Sequence, residues 1–534
     1  MKKLVISFAL VIFFVNLALA GGILTNTNQS AQFVRMLSRN ASTDLDAVYF
    51  NPAGLMVMEN GFYFGVHNQT IFQTKTVVSG NPLLLYDNEY IGDVKAPVFP
   101  TAFAVYKTDK YALSLGFGPN GGGGSADFAT GLPSFESNFA KLVPALSSLS
   151  ALGFPVEAYD VDIKFEGTSV FWGIQLGLSY KLSDAFSVYG GARYMPSKNT
   201  YAGSMTNIKL GPSDNLQNAN TYLTNAATYA TGMGTTLSAT ASGLAPLIAG
   251  GAGTLTISQA QALGLIPAAT AAQLTGGLIS LGVPSAQASA MNFTQVQATY
   301  SAAGTQMTTT GATLAANASQ LVDKEVDVEQ TGTGFTPILG ANIHLEKLNV
   351  GLKYEFKTKL KLVNDTKVDD VGMFPDGKKV HSDMPAIFAL GADYKISDKL
   401  KASLSYNLYF DKDVNWGLNI YNEQRTIDNN YFEIALGVEY AVSEKLTLSC
   451  GAMNSNTGVS EAYQSDFSYS NDSYTGGLGF SYKINDKLTL DAGFMYTSYV
   501  NDEKSFAPEG LPSYTEDYDK KTTTFAVGIG YKIF

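Results

Sequence analysis

Two-residue alternation of apolar and polar side chains is the feature that most constrains the fold of this chain. From Lys399 to Phe410 every second residue is apolar, and the pattern recurs over 431–440 and 487–496. A strand with one apolar and one polar face fits either a soluble β-sandwich or a membrane barrel. Beyond the first twenty residues, no segment approaches the roughly 18 consecutive apolar residues of a membrane-spanning helix. The sequence therefore predicts strands and excludes spanning helices.

Short polar turns between the strands favour the barrel. A tyrosine stands just before most of these turns, as an interfacial aromatic girdle requires, and a soluble sandwich offers no reason for that repetition. The turns lie at 108–110, 183–184, 345–347, 397–399, 443–445 and 485–487, and the tyrosines are Tyr106, Tyr180, Tyr394, Tyr440 and Tyr482, with Tyr531 in the equivalent place of the last strand.

Seven long connections alternate with the six turns, which implies fourteen strands. They lie near 79–97, 119–160, 205–322, 364–383, 411–429, 453–466 and 500–518. Short turns at one end and long loops at the other are typical of outer-membrane barrels, and closure pairs every backbone group that lipid would leave unpaired. We predict an all-β fold: a transmembrane antiparallel β-barrel of about 14 strands in the bacterial cell outer membrane, with both chain ends on the periplasmic side.

The first twenty residues have the pattern of a secretory signal peptide. Lys2 and Lys3 precede an apolar run from Leu4 to Leu17, and Ala18-Leu19-Ala20 forms a small-x-small cleavage site. An uncleaved anchor is the alternative, but the run is short for a span of about 20 residues. We expect a signal peptide at 1–20, a separate N-terminal segment at 21–60 and the barrel at 61–534.

Charge, cysteine and histidine content exclude other classes. The net charge of −11 argues against nucleic-acid binding, and the single Cys450 cannot form an internal disulfide. The three histidines, His67, His344 and His381, are scattered outside any zinc-protease or serine-hydrolase motif. We therefore expect no enzyme, no catalytic residues, no metal site and no cofactor.

Residues 21–60 precede the first strand and contain Asn51-Pro52-Ala53-Gly54. Proline fixes φ and lacks a backbone donor, and glycine permits a bend, so this segment is expected to be compact and irregular. Two interpretations remain open: a surface lead-in, or a plug folded into the lumen.

The third strand contains Gly116 and Gly118 and then meets Pro119, Asn120 and four glycines. Glycine with proline signals a bulge, a kink or a strand end. A plain flexible loop and a kink that opens the wall sideways are both compatible with this pattern.

Two long loops, 119–160 and 205–322, have helical character. In the first, apolar residues recur at three- and four-residue spacing, among them Phe135, Phe139, Leu142 and Leu146. In the second, the stretch 215–322 lacks Asp, Glu, Lys and Arg, and 257–281 has the pattern of a helical hairpin broken at a proline. Packing within the loop itself and direct contact with a ligand both remain open.

The order of these features resembles the FadL family (OMPP1/FadL/TodX type), outer-membrane transporters of long-chain fatty acids and aromatic hydrocarbons. The likeness rests on the signal peptide, the Asn51-Pro52-Ala53 segment, the glycine-rich third strand, the helical next loop, the long uncharged loop and the terminal Phe534. Short matches along the strands, at 333–335, 352–355 and 384–386, extend it over essentially the whole mature chain.

The resemblance implies a barrel blocked by an N-terminal plug, with a gate at Asn51, Pro52, Ala53 and Gly54. It also implies a hydrophobic ligand groove between the extracellular loops and sideways exit at a kink in the third strand. The groove is expected at Phe135, Phe139, Leu142 and Leu146, and the kink at Gly116, Gly118 and Pro119.

The family pocket meets a carboxylate with basic residues near the end of the fifth strand. This sequence departs from the pattern there, and Arg193 and Lys198 are the basic residues left to serve.

The expected function is passive, ligand-gated diffusion of hydrophobic small molecules, with long-chain fatty acids as cargo. Expected partners are that ligand (a fatty acid or an aromatic hydrocarbon), outer-membrane lipid and lipopolysaccharide, and the barrel-assembly machinery, with no nucleic acid and a monomeric state. A porin for small polar solutes and a surface adhesin or receptor are the alternatives.

Overall fold

The computed structural model describes residues 25–85, 88–418, 423–508 and 511–534. The signal peptide predicted at 1–20 lies outside the described residues, as do the first four residues of the 21–60 segment. Among the helices described, none has the length and apolarity needed to cross a membrane.

Strands are the main secondary structure of the described chain and cover nearly half of it. Strands β1 to β18 span Gly61–Ser79, Glu89–Lys107, Tyr111–Phe128, Ala158–Lys181, Phe186–Gly211, Gln217–Asn218, Lys324–His344, Leu348–Glu355, Lys361–Asp369, Lys379–His381, Ile387–Lys395, Leu400–Tyr409, Phe432–Ala441, Leu446–Asn456, Ser473–Lys483, Leu488–Tyr499, Asp502–Phe506 and Tyr514–Lys532. Helices α1 to α10 span Ala31–Met36, Ala47–Phe50, Pro133–Ala140, Leu142–Leu146, Ala219–Gly243, Ala245–Ala249, Ile257–Ala262, Ala268–Ser280, Ser285–Ala290 and Phe293–Ala318, and 3-10 helices cover Pro52–Val57, Ser147–Leu152, Ala252–Thr254 and Asp411–Asp413.

These segments form a closed antiparallel barrel of fourteen wall strands. β8 and β9 pair with the two halves of β7 and so make one wall strand. β10 and β11 make the next one, and β16 and β17 both pair with β18. β6 is a two-residue addition to β5. The first and last strands pair from Tyr63 opposite Lys532 to Ser79 opposite Glu516, which closes the barrel and confirms the predicted fold class.

The six short turns fall at the predicted places, but the strands extend farther toward the long loops than the alternation indicated. β2 already begins at Glu89, β3 continues to Phe128 and β5 continues to Gly211. Backbone pairing does not require one face to be apolar. The strands therefore continue beyond the outward apolar belt, where exposed residues such as Glu89, Asp93 and Lys95 of β2 are polar and apolar ones such as Tyr90 and Val94 are buried instead.

The apolar sets recognised in the sequence face outward. On β13, Ile434, Leu436 and Val438 are exposed, whereas Glu433 and Glu439 are buried on the inner face. The six tyrosines before the turns all have 40–49% of their surface exposed, as lipid-facing girdle residues should. They are Tyr106, Tyr180, Tyr394, Tyr440, Tyr482 and Tyr531.

The chain forms two compact units. In the described residues, one comprises Phe139–Asp162 and Thr206–Asp323, and the other comprises the remainder, including most of the barrel wall and the N-terminal segment.

In the first unit, α5 and α10 lie side by side, and glycines bring them close together. A Cβ on Gly304 would lie 2.9 Å from the backbone nitrogen of Ser238. Beside this helix pair, α7 and α8 form the predicted helices on either side of Pro267, and apolar residues of α7 to α10 pack into one cluster. These aliphatic side chains therefore pack within their own loop.

Candidate functional site

The N-terminal segment is buried against the inner face of the barrel wall. α1 packs against β1, β13 to β16 and β18, and the 3-10 helix Pro52–Val57 packs against β3, β7 and β8. One apolar cluster combines Phe33, Val34 and Phe50 of the segment with Phe103 and Met495 of the wall. Contacts with strands all around the wall place the segment inside the barrel.

Buried charges attach α1 to the wall. The Arg35 guanidinium donates from Nη1 to Glu439 at 2.6 Å and to Ser449 Oγ at 2.8 Å, and from Nε to Asp491 at 3.1 Å. Lys401 forms a second ion pair with Glu439. Buried carboxylates need such partners because an isolated charge is costly away from water.

A second set of charges holds the segment to itself. Arg39 donates to both carboxylate oxygens of Asp46, at 2.9 and 2.7 Å, and Ser30 and Ser42 donate to the same carboxylate. Burial alone would raise the pKa of Asp46, but the Arg39 guanidinium and the two hydroxyl donors hold this pKa below its usual value. Ser30 also caps α1, since its Oγ accepts from the Phe33 amide at 2.9 Å. The segment is therefore a compact body held together by its own hydrogen bonds as well as by the wall.

The predicted gate motif lies at the short-turn end of this body. Asn51 Nδ2 donates to Asn342 Oδ1 of the wall at 2.8 Å, while Ser179 and Ser187 of the wall donate to the carbonyls of Pro52 and Ala53 at 2.6 and 2.8 Å. The next residue must lack a side chain. A Cβ on Gly54 would lie 2.6 Å from the Ser42 carbonyl oxygen. Asn51, Pro52 and Ala53 thus dock on the wall, while Gly54 packs within the segment, and the role of the four residues as a gate stays a prediction.

The wall is interrupted between β2 and β3. Pairing runs up to Ala102 opposite Phe117 and resumes only at Lys95 opposite Ser125, so 96–101 and 118–124 have no partner across this seam. Gly118 and Pro119 lie within the interruption and Gly116 lies just below it, at the position where the kink was predicted. On its other side, β3 stays paired with β4, with register shifts after Pro119 and Gly122.

The start of the described chain occupies this interruption. Thr25 forms a bridge with Gly121, and the Asn26 amide donates to the Asn120 carbonyl at 2.9 Å. Asn26 Nδ2 donates to the Gly122 carbonyl at 2.6 Å. Gln29 Nε2 donates to the Pro119 carbonyl at 2.8 Å. Residues 25–29 therefore satisfy backbone groups of β3 that β2 leaves open, and sequence reasoning did not identify them.

A small cavity, with room for about one water molecule, lies beside the interruption. Gly116 and Gly118 leave room there for the N-terminal segment, because a Cβ on Gly118 would lie 2.6 Å from Gln29 Oε1. Two buried polar atoms on its lining, Asn120 Nδ2 and Arg193 Nε, have no hydrogen-bond partner in the described residues. The lining residues are Gln29, Val48, Tyr49, Phe103, Gly116, Phe117, Gly118, Asn120, Gly173, Gln175 and Arg193.

The two basic residues predicted to meet a carboxylate lie on opposite faces of β5. Arg193 is buried on the inner face, where Glu355 accepts from it at 2.6 and 3.1 Å, and Lys353 donates to the same carboxylate at 2.7 Å. Lys198 is exposed on the outer face and pairs with Glu329 at 2.6 Å. The structure does not bring these two cations together, and each already has a carboxylate partner.

The predicted ligand-groove residues fall into both units. Phe135 contacts the rings of Phe165 and Phe467, with centroids 5.8 and 6.5 Å apart, and Phe165 and Phe467 extend the cluster to Tyr201. Phe139, Leu142 and Leu146 belong to the first unit and are buried. Sequence reasoning missed the aromatic cluster, because its rings come from loops and strands that are remote in the chain.

Metal-binding geometry is absent from the described ranges, where no three His, Cys, Asp or Glu side chains are grouped to hold an ion.

Comparisons with known proteins agree with this architecture. Residues 269–533 match the family described as outer membrane protein transport protein (OMPP1/FadL/TodX). No curated protein matches the sequence.

Solved structures of the same kind resemble the chain along nearly its whole length. A Pseudomonas aeruginosa FadL homologue is 14% identical, with 96% of this chain and 100% of that one covered and a TM-score of 0.56. A TodX deletion mutant, a monoaromatic hydrocarbon channel, is 12% identical, with 96% and 100% covered and a TM-score of 0.51. The P. putida toluene transporter TodX is 11% identical, with 92% and 95% covered and a TM-score of 0.47.

At these identities the first two of these solved structures show the fold, and the family match over residues 269–533 adds the class of protein. The chain therefore belongs to the OMPP1/FadL/TodX family of outer-membrane β-barrel channels that transport hydrophobic compounds.

Proposed function

We propose that this protein carries long-chain fatty acids across the outer membrane by ligand-gated passive diffusion. In this mechanism the cargo enters from the long loops and displaces the N-terminal segment from β3. It then leaves sideways, through the seam between β2 and β3, into the bilayer.

The observation that carries the proposal is the interrupted seam filled by residues 25–29. Paired strands give no lateral passage, since each wall strand is hydrogen-bonded along its length. Here the missing pairs at 96–101 and 118–124 leave an opening whose free backbone groups are held by a few hydrogen bonds from Asn26 and Gln29. Movement of a short segment is therefore enough to open the seam.

Apolar material inside the barrel supports a hydrophobic cargo. One buried cluster contains Phe171, Met195, Leu360 and Leu362, and the aromatic cluster around Tyr201 is another. An acyl chain gains about 0.8 kcal/mol per buried CH₂, so sixteen carbons would gain roughly 12 kcal/mol. Exit into lipid, which is equally apolar, avoids the cost of returning that chain to water.

Fatty acids and aromatic hydrocarbons share this apolar requirement, and the solved TodX structures are those of toluene or monoaromatic hydrocarbon channels. A fatty acid adds a carboxylate, for which Arg193 and Lys198 are poor candidates because Glu355 and Glu329 already neutralise them. Contacts with lipopolysaccharide and with the barrel-assembly machinery, and a monomeric state, stay predictions.

A reversible crosslink across the seam tests the mechanism. Thr25 and Gly121 form an antiparallel bridge, in which Cα atoms lie about 4.5–5.5 Å apart, a spacing that suits a disulfide. We expect oxidised Thr25→Cys/Gly121→Cys protein, in a Cys450→Ser background, to lose uptake of labelled palmitate into proteoliposomes. Dithiothreitol should restore this uptake.

The two single-cysteine variants are the matched controls, because each carries one substitution and neither can close the bridge. Oxidant should leave their uptake unchanged. If the crosslinked double variant transported palmitate as fast when oxidised as when reduced, exit through this seam would be wrong.

A further inference from the structure

Two lysines face each other on the inner side of the first and last strands. Lys75 of β1 and Lys520 of β18 are directly opposite in the register that closes the barrel. Both belong to the inward-facing sets, since the neighbours two residues away, Val77 on β1 and Tyr518 and Thr522 on β18, are buried. Both lysines are half-buried.

Neither lysine has a carboxylate partner among the described residues. Lys520 Nζ donates to the Tyr469 carbonyl oxygen at 3.2 Å and lies 4.9 and 5.0 Å from the ring centroids of Tyr469 and Tyr499. Lys75 Nζ lies 6.0 Å from the Tyr469 ring centroid. Each ammonium has three N–H donors, so most of these donors are unused within the described chain.

The surroundings of these two lysines differ from those of the other lumenal cations. Arg35, Arg193 and Lys353 each pair with a carboxylate at 2.6–3.1 Å. Like charges placed directly opposite each other in a sheet destabilise the pair, and burial increases that cost. A negative group between the two lysines would remove the repulsion.

The residues around the two lysines favour an anion that also has an apolar part. On the long-loop side of the lysines lies an apolar cluster of Val77, Tyr90, Tyr469 and Tyr518. On the other side, Gln73 Nε2 donates to Thr522 Oγ1 at 2.8 Å and forms a polar floor. An apolar surface beside a pair of cations suits an amphiphilic anion, whereas a small inorganic anion has no apolar part to contact that surface.

We propose that Lys75 and Lys520 form a carboxylate-binding site that holds the headgroup of a long-chain acid within the lumen. The inference rests on the proposed function and deepens it, since it gives the cargo's charge a site that Arg193 and Lys198 do not offer. Tyr469, Tyr499 and Tyr518 form the walls of the site, and one carboxylate oxygen would face each ammonium.

Binding of palmitate and of hexadecanol to the purified full-length protein tests this site. The two ligands share a sixteen-carbon chain and differ in the charge of the headgroup. In Lys75→Gln/Lys520→Gln we expect the Kd for palmitate to rise about 10- to 100-fold, the range for loss of hydrogen bonds to a charged group. The Kd for hexadecanol should stay within a factor of about two.

A charge reversal provides a second variant that should fold well. Lys75→Glu would place opposite charges across the strands, which stabilises the pair, and would repel the headgroup. We expect it to lose palmitate binding and to keep hexadecanol binding. Lys521→Gln is the matched control, because Lys521 lies next in the same strand, is exposed and pairs with Asp519.

Three results would overturn the site: equal weakening of both ligands, unchanged palmitate binding in both lysine variants, or displacement of palmitate by acetate at concentrations near the palmitate Kd. The last result would identify a site for free small anions. Failure of the proposed function would look different, because unmodified protein would then bind and transport neither palmitate nor hexadecanol.

Discussion

Replacement of Arg35 by leucine should release the N-terminal segment from the wall without unfolding the barrel. The side chain makes three hydrogen bonds to β13, β14 and β16, and two of them join it to the buried carboxylates of Glu439 and Asp491. Leucine fills part of the same space and leaves both carboxylates without their guanidinium. The strand ladder itself is unchanged, since none of its hydrogen bonds involves Arg35.

The expected cost follows from the partners that remain. Removing one member of a buried ion pair costs about 3–5 kcal/mol. Glu439 keeps Lys401 and Asp491 keeps its hydrogen bond from Gln32, so the lower end, about 3 kcal/mol, applies. At about 1.4 kcal/mol per factor of ten, the displaced state should become roughly 100-fold more populated.

Single-channel recording in planar bilayers measures this population as the frequency of ion-conducting openings. We expect Arg35→Leu to open roughly 100-fold more often than the unmodified protein. Arg35→Leu/Asp491→Leu, which removes one orphaned carboxylate, should open less often than the single variant. Lys521→Gln, at an exposed pair, should behave as the unmodified protein does.

Arg35 does not hold the segment in place if Arg35→Leu opens no more often than the unmodified protein while circular dichroism and heat-dependent gel mobility show a folded barrel. That outcome would mean that apolar packing alone keeps the segment in place. A barrel that failed to fold would contradict the claim that the segment is attached to a wall that forms without it.

Two further predictions concern regions outside the barrel wall. Gly304→Ala should lower the melting temperature of the α5–α10 helix pair, because its Cβ would lie 2.9 Å from the Ser238 backbone nitrogen. The Cβ of Gly232→Ala meets nothing within 4 Å, so this control should raise the melting temperature slightly. Thermal circular dichroism at 222 nm measures both shifts, and equal shifts would contradict the prediction. Burial raises the pKa of the Asp411 carboxyl to about 7, so the folded protein loses stability as pH rises from about 4 to 7. Asp411→Asn should remove that loss of stability. In a Trp172→Phe background the fluorescence of Trp416 reports the stability, because its indole donates to the Asp411 backbone carbonyl at 2.9 Å. A pH dependence that survived the substitution would contradict the assignment.

The barrel was predictable because its signals are local. Period-two alternation, a polar turn and a tyrosine before the turn can all be read within about fifteen residues, and together they fix strand number and closure. The far strand ends were not predictable from the same signal. Beyond the apolar belt the outward apolar set ends and apolar residues such as Val94 of β2 and Leu210 of β5 are buried instead, so only backbone pairing shows that the strands continue to Glu89 and Gly211.

The contacts of the N-terminal segment were beyond sequence reasoning for a different reason. The Asn51-Pro52-Ala53-Gly54 motif indicated irregular structure, yet its partners are Ser179, Ser187 and Asn342, which are far away in the chain. One signal was available. Carboxylates on the inner face of an alternating strand, such as Glu439, need cations, so a buried basic partner could have been sought in the segment.

The alternation of the two faces along a strand could also have shown that the two basic residues of β5 point to opposite sides. Residues an odd number of positions apart lie on opposite faces of a regular strand, so Arg193 and Lys198 could not both reach the lumen. The same rule places Lys75 with Val77 on the inner face of β1. It cannot reveal that Lys520 lies opposite, because that register exists only once the first and last strands pair. A site built where the first and last strands pair therefore cannot be recognised from the local sequence pattern, although each of its two lysines follows that pattern.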